Sequence, residues 1–222
     1  MSFKIISYFC DVDPGDTYYS DHAKMFMKNM DSLGMDYHVE EIYSMGSYRA
    51  NCLFKPRFIL KCIEKFNCSV LWLDIDSYVH KKLDMFENID SDIIFATNSI
   101  DENGNFIPKA SPVFINKTEN GYNFIKKWNE KCDYYLNNDK KFFDHEIMLE
   151  VLKEEKLEIA LFGYRFCLFA DSNHPEPDPV ITMGISSGPS KNQGLRDMGH
   201  NNQLIKGNST RQTYYTVNGK IK

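Results

Sequence analysis

The sequence predicts an α/β protein in which a mixed, mostly parallel sheet is flanked by helices within a single domain. Three observations predict it. Apolar segments of strand length alternate with segments of helical spacing through residues 4–96. Val70-Leu71-Trp72-Leu73 is apolar without alternation, as expected of a strand covered on both faces. Lys55-Pro56 opens the stripe Phe58, Ile59, Cys62, Ile63 and Phe66, the pattern of an amphipathic helix with proline in its first turn.

Taken in order, residues 4–10 read as a buried first strand that breaks at the turn-forming stretch Asp11-Val12-Asp13-Pro14-Gly15-Asp16. Ala23, Phe26, Met27 and Met30 then recur at helical spacing over 18–33, and Gly34 is a natural stop. Residues 37–42 alternate like a strand. After the helix opened by Lys55 and the strand ending at Leu73, residues 83–89 read as a short turn or helix and 93–96 as another buried strand. Strands are expected on either side of Pro108 and Pro112 within 106–116, and helices over 120–135 and 144–155. Further strands are expected near 159–162 and 165–169. A Pro-rich loop (171–179) and a Gly- and Ser-rich segment (184–199) follow. Residues 1–205 are assigned to the domain and 206–222 to a polar, flexible tail.

Composition narrows the partners. The chain has 222 residues, enough for a sizeable core, and its 42% hydrophobic and 26% charged content is that of a globular protein. Its net charge of -5 argues against nucleic acid as a partner. An acidic chain still binds a small anion where a metal and a few basic side chains supply local positive charge. The 6 cysteines show no Cys-x-x-Cys or zinc-finger spacing, and read as buried apolar residues of a reducing compartment. The first residues run directly into a strand pattern without a signal-peptide core, and no apolar run approaches the ~18 residues of a membrane span. A cytoplasmic location is expected, in the host cytoplasm if the protein is viral.

Asp74-Ile75-Asp76 follows directly on the buried strand. Ligands of open α/β sheets bind beyond the carboxyl ends of the strands. Two carboxylates one residue apart there can converge on one divalent cation, and their hard oxygens suit Mn²⁺ or Mg²⁺, which bridges a diphosphate. Asp-x-Asp also occurs in ordinary solvated turns. Haloacid-dehalogenase-type phosphotransferases share an apolar strand followed by Asp-x-Asp. In those enzymes, however, the motif lies near the N-terminus and continues differently from Ser77-Tyr78-Val79.

The stretch from Lys55-Pro56-Arg57-Phe58-Ile59-Leu60 to Val70-Leu71-Trp72-Leu73-Asp74-Ile75-Asp76-Ser77-Tyr78-Val79 resembles the nucleotide-diphospho-sugar transferases of the GT-A fold, in particular small viral or bacterial members. The resemblance implies a Rossmann-like half that binds the nucleotide, with Asp74 and Asp76 holding the metal. It implies a hexose or similar sugar moved from a sugar nucleotide, expected to be a UDP-sugar, to a hydroxyl acceptor on a glycan or similar molecule. Donor contacts are expected from Tyr8 and Asp11, where the family packs the base and ribose, from Arg49 and Lys55, and from Ile75. Tyr8 reads equally as a core side chain, and Arg49 and Lys55 as helix-end charges. Trp128 and the later Phe143-Asp144-His145-Glu146 resemble the family's Trp-bearing helix and acceptor-side Asp-Gln, with His145 in place of Gln. Asp144 is thus the candidate general base if the reaction inverts, and otherwise a positioning group. It also reads as a plain helix N-cap. The family's terminal His-x-x-Gly-x-x-Lys keeps Gly188 and Lys191, the latter for the diphosphate, but Ile185 stands at the His position. His174, His200 or water is left as third metal ligand. A non-catalytic sugar- or nucleotide-binding protein is the alternative reading.

Overall fold

A computed structural model describes residues 3–11, 15, 17–100, 106–169 and 178–184. His174, Ile185, Gly188, Lys191, His200 and the tail 206–222 lie outside the described residues.

The first strand, β1 (Phe3–Phe9), is followed by α1 (Tyr18–Ser32), β2 (Tyr37–Glu41), α2 (Tyr48–Leu53), α3 (Lys55–Phe66) and β3 (Ser69–Trp72). Then come β4 (Tyr78–Val79), β5 (Ile93–Ile100), β6 (Phe106–Ile115), α4 (Glu119–Asn137) and α5 (Asp144–Glu154). The short strands β7 (Ile159–Leu161), β8 (Leu168–Phe169) and β9 (Ile181–Met183) complete the described elements. A six-stranded sheet has the order β2-β1-β3-β6-β5-β7. All of its pairings are parallel except the two made by β6, so the mixed, mostly parallel sheet expected from the sequence is present.

The unbroken apolar run of β3 has a direct structural reason. All four of its residues are buried, because both faces of the sheet are covered. Val70 and Trp72 enter a core layer with Phe58 and Ile59 of α3, Phe124 and Trp128 of α4, and Ile147 of α5. Leu71 and Leu73 face the opposite layer, with Phe26 and Met30 of α1 and Phe86, Phe114 and Phe162. α3 begins with Pro56 in its first turn and stops at Asn67, whose φ of 55° is left-handed. Gly34 ends the α1 region at φ 60°, where a residue with a β-carbon is strained.

Several elements differ from the expectation. α2 is an additional helix capped by Ser47, whose hydroxyl accepts the Ala50 N–H at 3.1 Å. Residues 106–115 form one strand rather than separate pieces, and register shifts along its pairing with β5 let it pass its prolines. The stretch expected as a strand over 165–169 starts instead as a 3-10 turn, Tyr164–Phe166, before β8. β4, β9 and β8 make a second, three-stranded sheet, and its two- and three-residue strands are too short to leave a pattern in the sequence. Among the described residues no helix is long and apolar enough to cross a membrane.

At Gly121 the start of α4 lies close against neighbouring backbone. A β-carbon there would meet the Asn116 carbonyl oxygen at 2.2 Å and that of Asp92 at 3.0 Å, both backbone atoms. Gly121→Ala is therefore predicted to lower stability by about 1–3 kcal/mol through overpacking, against the alanine preference of a helix. The urea midpoint should fall with little change in slope, and a raised midpoint would contradict the packing described.

Candidate functional site

Four elements converge beyond the carboxyl end of β3. Leu73 is still held in the sheet, its N–H donating to Ile6 O at 3.2 Å, and the chain then turns. The Ser77 N–H closes the turn on Asp74 O at 3.0 Å. β6 runs antiparallel with Trp72 opposite Val113, so Ser111 lies beside the turn and accepts the Asp74 N–H through its hydroxyl at 2.9 Å. Downstream, the turn is anchored by Asn29 of α1. Its side-chain amide exchanges two hydrogen bonds with the backbone of Val79, at 2.8 and 2.9 Å. The Asp-x-Asp pair therefore sits in a loop fixed at both ends.

Lys55, the first residue of α3, reaches this point from below. Its ammonium lies 2.7 Å from Asp144 Oδ2 and 3.2 Å from Asp74 Oδ1, and it donates to Ala110 O at 3.1 Å. It also lies 5.5 Å from the centre of the Trp72 ring, whose indole N–H donates to Asp74 Oδ1 at 2.9 Å. Side-chain exposure is 8% for Lys55 and 7% for Asp144, but 41% for Asp74. One buried cation is thus shared by a buried and a half-exposed carboxylate. Asp144 is fixed further by the His145 N–H, which donates to Oδ1 at 2.9 Å, and by the Trp128 indole, which donates to its backbone carbonyl at 3.0 Å.

Asp144 is not the N-cap that its place in the sequence allows. Phe143 occupies that position, its N–H donating to Glu146 Oε2 at 2.8 Å, and Asp144 is the first helical residue. Burial raises the pKa of Asp144. The charge of Lys55 and the hydrogen bonds from His145 and Lys55 outweigh it and hold the carboxyl down at about 2. Burial works against the Lys55 ammonium, but Asp144 and Asp74 raise its pKa well above the ordinary lysine value.

The other residues singled out in the sequence are placed as follows. Asp76 is half-buried in the same turn, and its charge, after burial, contributes to raising the Tyr19 hydroxyl to about 12, which brings α1 alongside. Ile75 is buried in the α1-side core, so its side chain is packed away from the mouth of the turn. Asp11 accepts the N–H groups of Tyr19 and Ser20 at 2.8 and 3.2 Å, closing the first turn of α1. Tyr8 packs against Trp72, Phe58 and Phe54, and its hydroxyl donates to Asn51 O at 2.5 Å, which favours the core reading of this residue. Arg49 is engaged by backbone carbonyls near the end of α4. Its guanidinium donates to Phe142 O at 3.1 Å, Tyr135 O at 3.3 Å and Lys140 O, tying α2 to the α4–α5 loop.

Three participants escaped the sequence reading. Trp72 was legible only as an apolar strand residue, although its spacing of two from Asp74 puts both side chains on one side of the chain. Ser111 and Tyr48 carry no local signal. Tyr48 is an exposed ring on α2, 6.4 Å from the Phe143 ring.

No protein-family model matches the sequence, and no curated protein matches it. A solved structure does match: that of a glycosyltransferase involved in the glycosylation of the major capsid of PBCV-1. The TM-score is 0.64 at 16% identity, with 91% of this chain and 98% of that chain covered. An identity this low speaks for the fold. The chain has the GT-A-type α/β architecture, as expected from the sequence.

The ion pair predicts an acid-sensitive contribution to stability. The folded-state pKa of Asp144 lies below its ordinary value of 3.8, so its contribution is present above that value and lost as pH falls towards about 2. The shift corresponds to on the order of 2 kcal/mol. The stability difference between wild type and Asp144→Asn, from urea unfolding, should shrink by most of this amount between about pH 5 and about pH 2.5. A difference independent of pH would disprove the pairing.

Proposed function

We propose that the protein is a metal-dependent glycosyltransferase that moves a sugar from a nucleoside-diphosphate sugar, with UDP as the expected nucleotide, to a hydroxyl of a glycan or similar acceptor. The observation that carries this reading is the placement of Asp74-Ile75-Asp76. On a GT-A-type sheet, the pair projects from a fixed turn at the end of the central strand β3, linked through Lys55 to Asp144. The fold alone serves many reactions, and it is this site that distinguishes among them.

The donor set fits a hard divalent cation. Asp74 and Asp76 offer carboxylate oxygens from one turn, and the Asp74 carboxylate accepts the Trp72 indole N–H and pairs with the Lys55 ammonium. Among the described residues no group of three His, Cys, Asp or Glu side chains is arranged to hold a metal. Two carboxylates, with the remaining positions filled by substrate phosphate and water, is the usual protein share for Mg²⁺. A bound Mn²⁺ or Mg²⁺ would supply positive charge against the departing diphosphate. Lys191 and His174, outside the described residues, remain candidates for the diphosphate and the metal.

For Asp144 the electrostatics favour positioning over base catalysis. A carboxylate held at about 2 is a weak proton acceptor near neutral pH, where efficient bases have pKa values close to the operating pH. Fixed by Lys55, His145 and Trp128, it is suited to accept a hydrogen bond from a sugar hydroxyl and orient it. Tyr8, packed against the core and bonded to Asn51 O, and Arg49, engaged by the α4–α5 loop, leave the Asp74–Asp76 turn as the principal donor contact we assign among the described residues.

UDP with Mn²⁺ should raise the melting temperature more than either alone, by an amount equivalent to about 2.7 kcal/mol at a ligand concentration 100 times Kd. Asp76→Ala should abolish the shift while its circular dichroism spectrum remains that of wild type. Absence of a metal-dependent shift with every nucleoside diphosphate would sink the proposal. Binding without metal-dependent hydrolysis or transfer of a UDP-sugar would favour a non-catalytic binding protein.

A further inference from the structure

The Lys55 ammonium has three N–H donors, and three protein oxygens already lie within reach: Asp144 Oδ2, Asp74 Oδ1 and Ala110 O. A substrate hydroxyl or phosphate could engage Lys55 only by displacing one of them. The three contacts are unequal. Asp144 is the closest at 2.7 Å and is itself buried, so separating that pair would strand two charges away from water. Asp74 is 3.2 Å away and 41% exposed, so water can replace the ammonium there. The exchangeable contact is therefore the one to the Asp-x-Asp turn.

We propose that Lys55 is an internal counter-ion which occupies Asp74 in the free protein, and that a divalent cation entering the turn binds in competition with it. The inference rests on reading Asp74 and Asp76 as the metal-binding turn. Lys55 is then a positioning residue with two states. In the first it bridges Asp74 and Asp144. In the second the metal has taken Asp74, and the ammonium stays on Asp144 and Ala110 O. This would keep two neighbouring carboxylates from repelling each other before the metal arrives.

The decisive measurement is the Mn²⁺ dissociation constant, read by electron paramagnetic resonance titration of MnCl₂ in the presence of saturating UDP. Asp144→Asn, which removes the stronger partner, should shift Lys55 onto Asp74 and weaken Mn²⁺ binding about three- to tenfold. The double variant Lys55→Met/Asp144→Asn removes one positive and one negative charge, so the net charge around the turn is that of wild type. It should bind Mn²⁺ at least about fivefold more tightly than wild type, because the competitor has gone and two like charges no longer share one carboxylate. Replacing a buried ion pair by uncharged side chains is commonly tolerated, and circular dichroism checks that this variant folds. If it does not fold, the single variant decides.

Mn²⁺ affinity in the double variant equal to or weaker than that of wild type would overturn the competition, as would unchanged affinity in Asp144→Asn. In either case the metal-binding turn itself would stand. Absence of Mn²⁺ binding in wild type and in every variant would instead overturn the reading of the turn, and this inference with it.

Discussion

Lys55 reaches its two carboxylates from the first residue of α3, and most of the neighbouring contacts serve to keep it there. Desolvating an ammonium costs several kcal/mol, so hydrophobic packing alone would not select this arrangement. The compensation is specific. Asp144 comes from the start of α5, Asp74 from the end of β3 and a carbonyl from β6, while the Trp72 ring flanks the charge. Trp128 holds the backbone of Asp144, and Pro56 sets the start of α3 from which Lys55 emerges. A change in any of these elements alters the electrostatics of the Asp-x-Asp turn, even where it touches no ligand.

The sheet explains how residues so distant in sequence meet. Had β3 and β5 been adjacent, the carboxyl end of β3 would be bordered by another strand running the same way. β6 lies between them in the opposite direction, so Ala110 and Ser111 come to the end of β3 and contact Lys55 and Asp74. The small β4-β9-β8 sheet has a related role on the exit side of the turn. Val79 pairs with Ile181 and is bonded by Asn29, while the Ser77 hydroxyl donates to Met183 Sδ at 3.3 Å. The central sheet holds one end of the loop and the small sheet the other.

Legibility in the sequence followed the range of the interactions. The buried run through Leu73, the Pro56-led stripe and the glycine stop at 34 are local patterns, and each corresponds to an observed element. The Asp-x-Asp turn was legible because it combines a local motif with a strand end. The role of Lys55 was not, since its partners lie on three other segments and nothing local predicts which oxygens a buried ammonium will find. Arg49 illustrates the reverse case. It is a positive charge in the expected neighbourhood, but three backbone carbonyls where α4 ends and its loop begins accept its guanidinium. The sheet formed by β4, β9 and β8 was illegible for a simpler reason: strands of two or three residues contain no measurable period.

The same cation gives its two carboxylates different capacities. Asp144 is buried, accepts from Lys55 and His145, and belongs to a helix held by Trp128, so its orientation is set before any substrate is present. That pre-organisation comes with a low pKa, which makes Asp144 a good hydrogen-bond acceptor and a poor proton acceptor. Asp74 is half-exposed, and its 3.2 Å contact with the same ammonium is open to water. Burial, rather than residue type, therefore separates a fixed group from an exchangeable one. It places the exchangeable group at the strand end, where ligands of open α/β sheets enter, and the fixed group behind it.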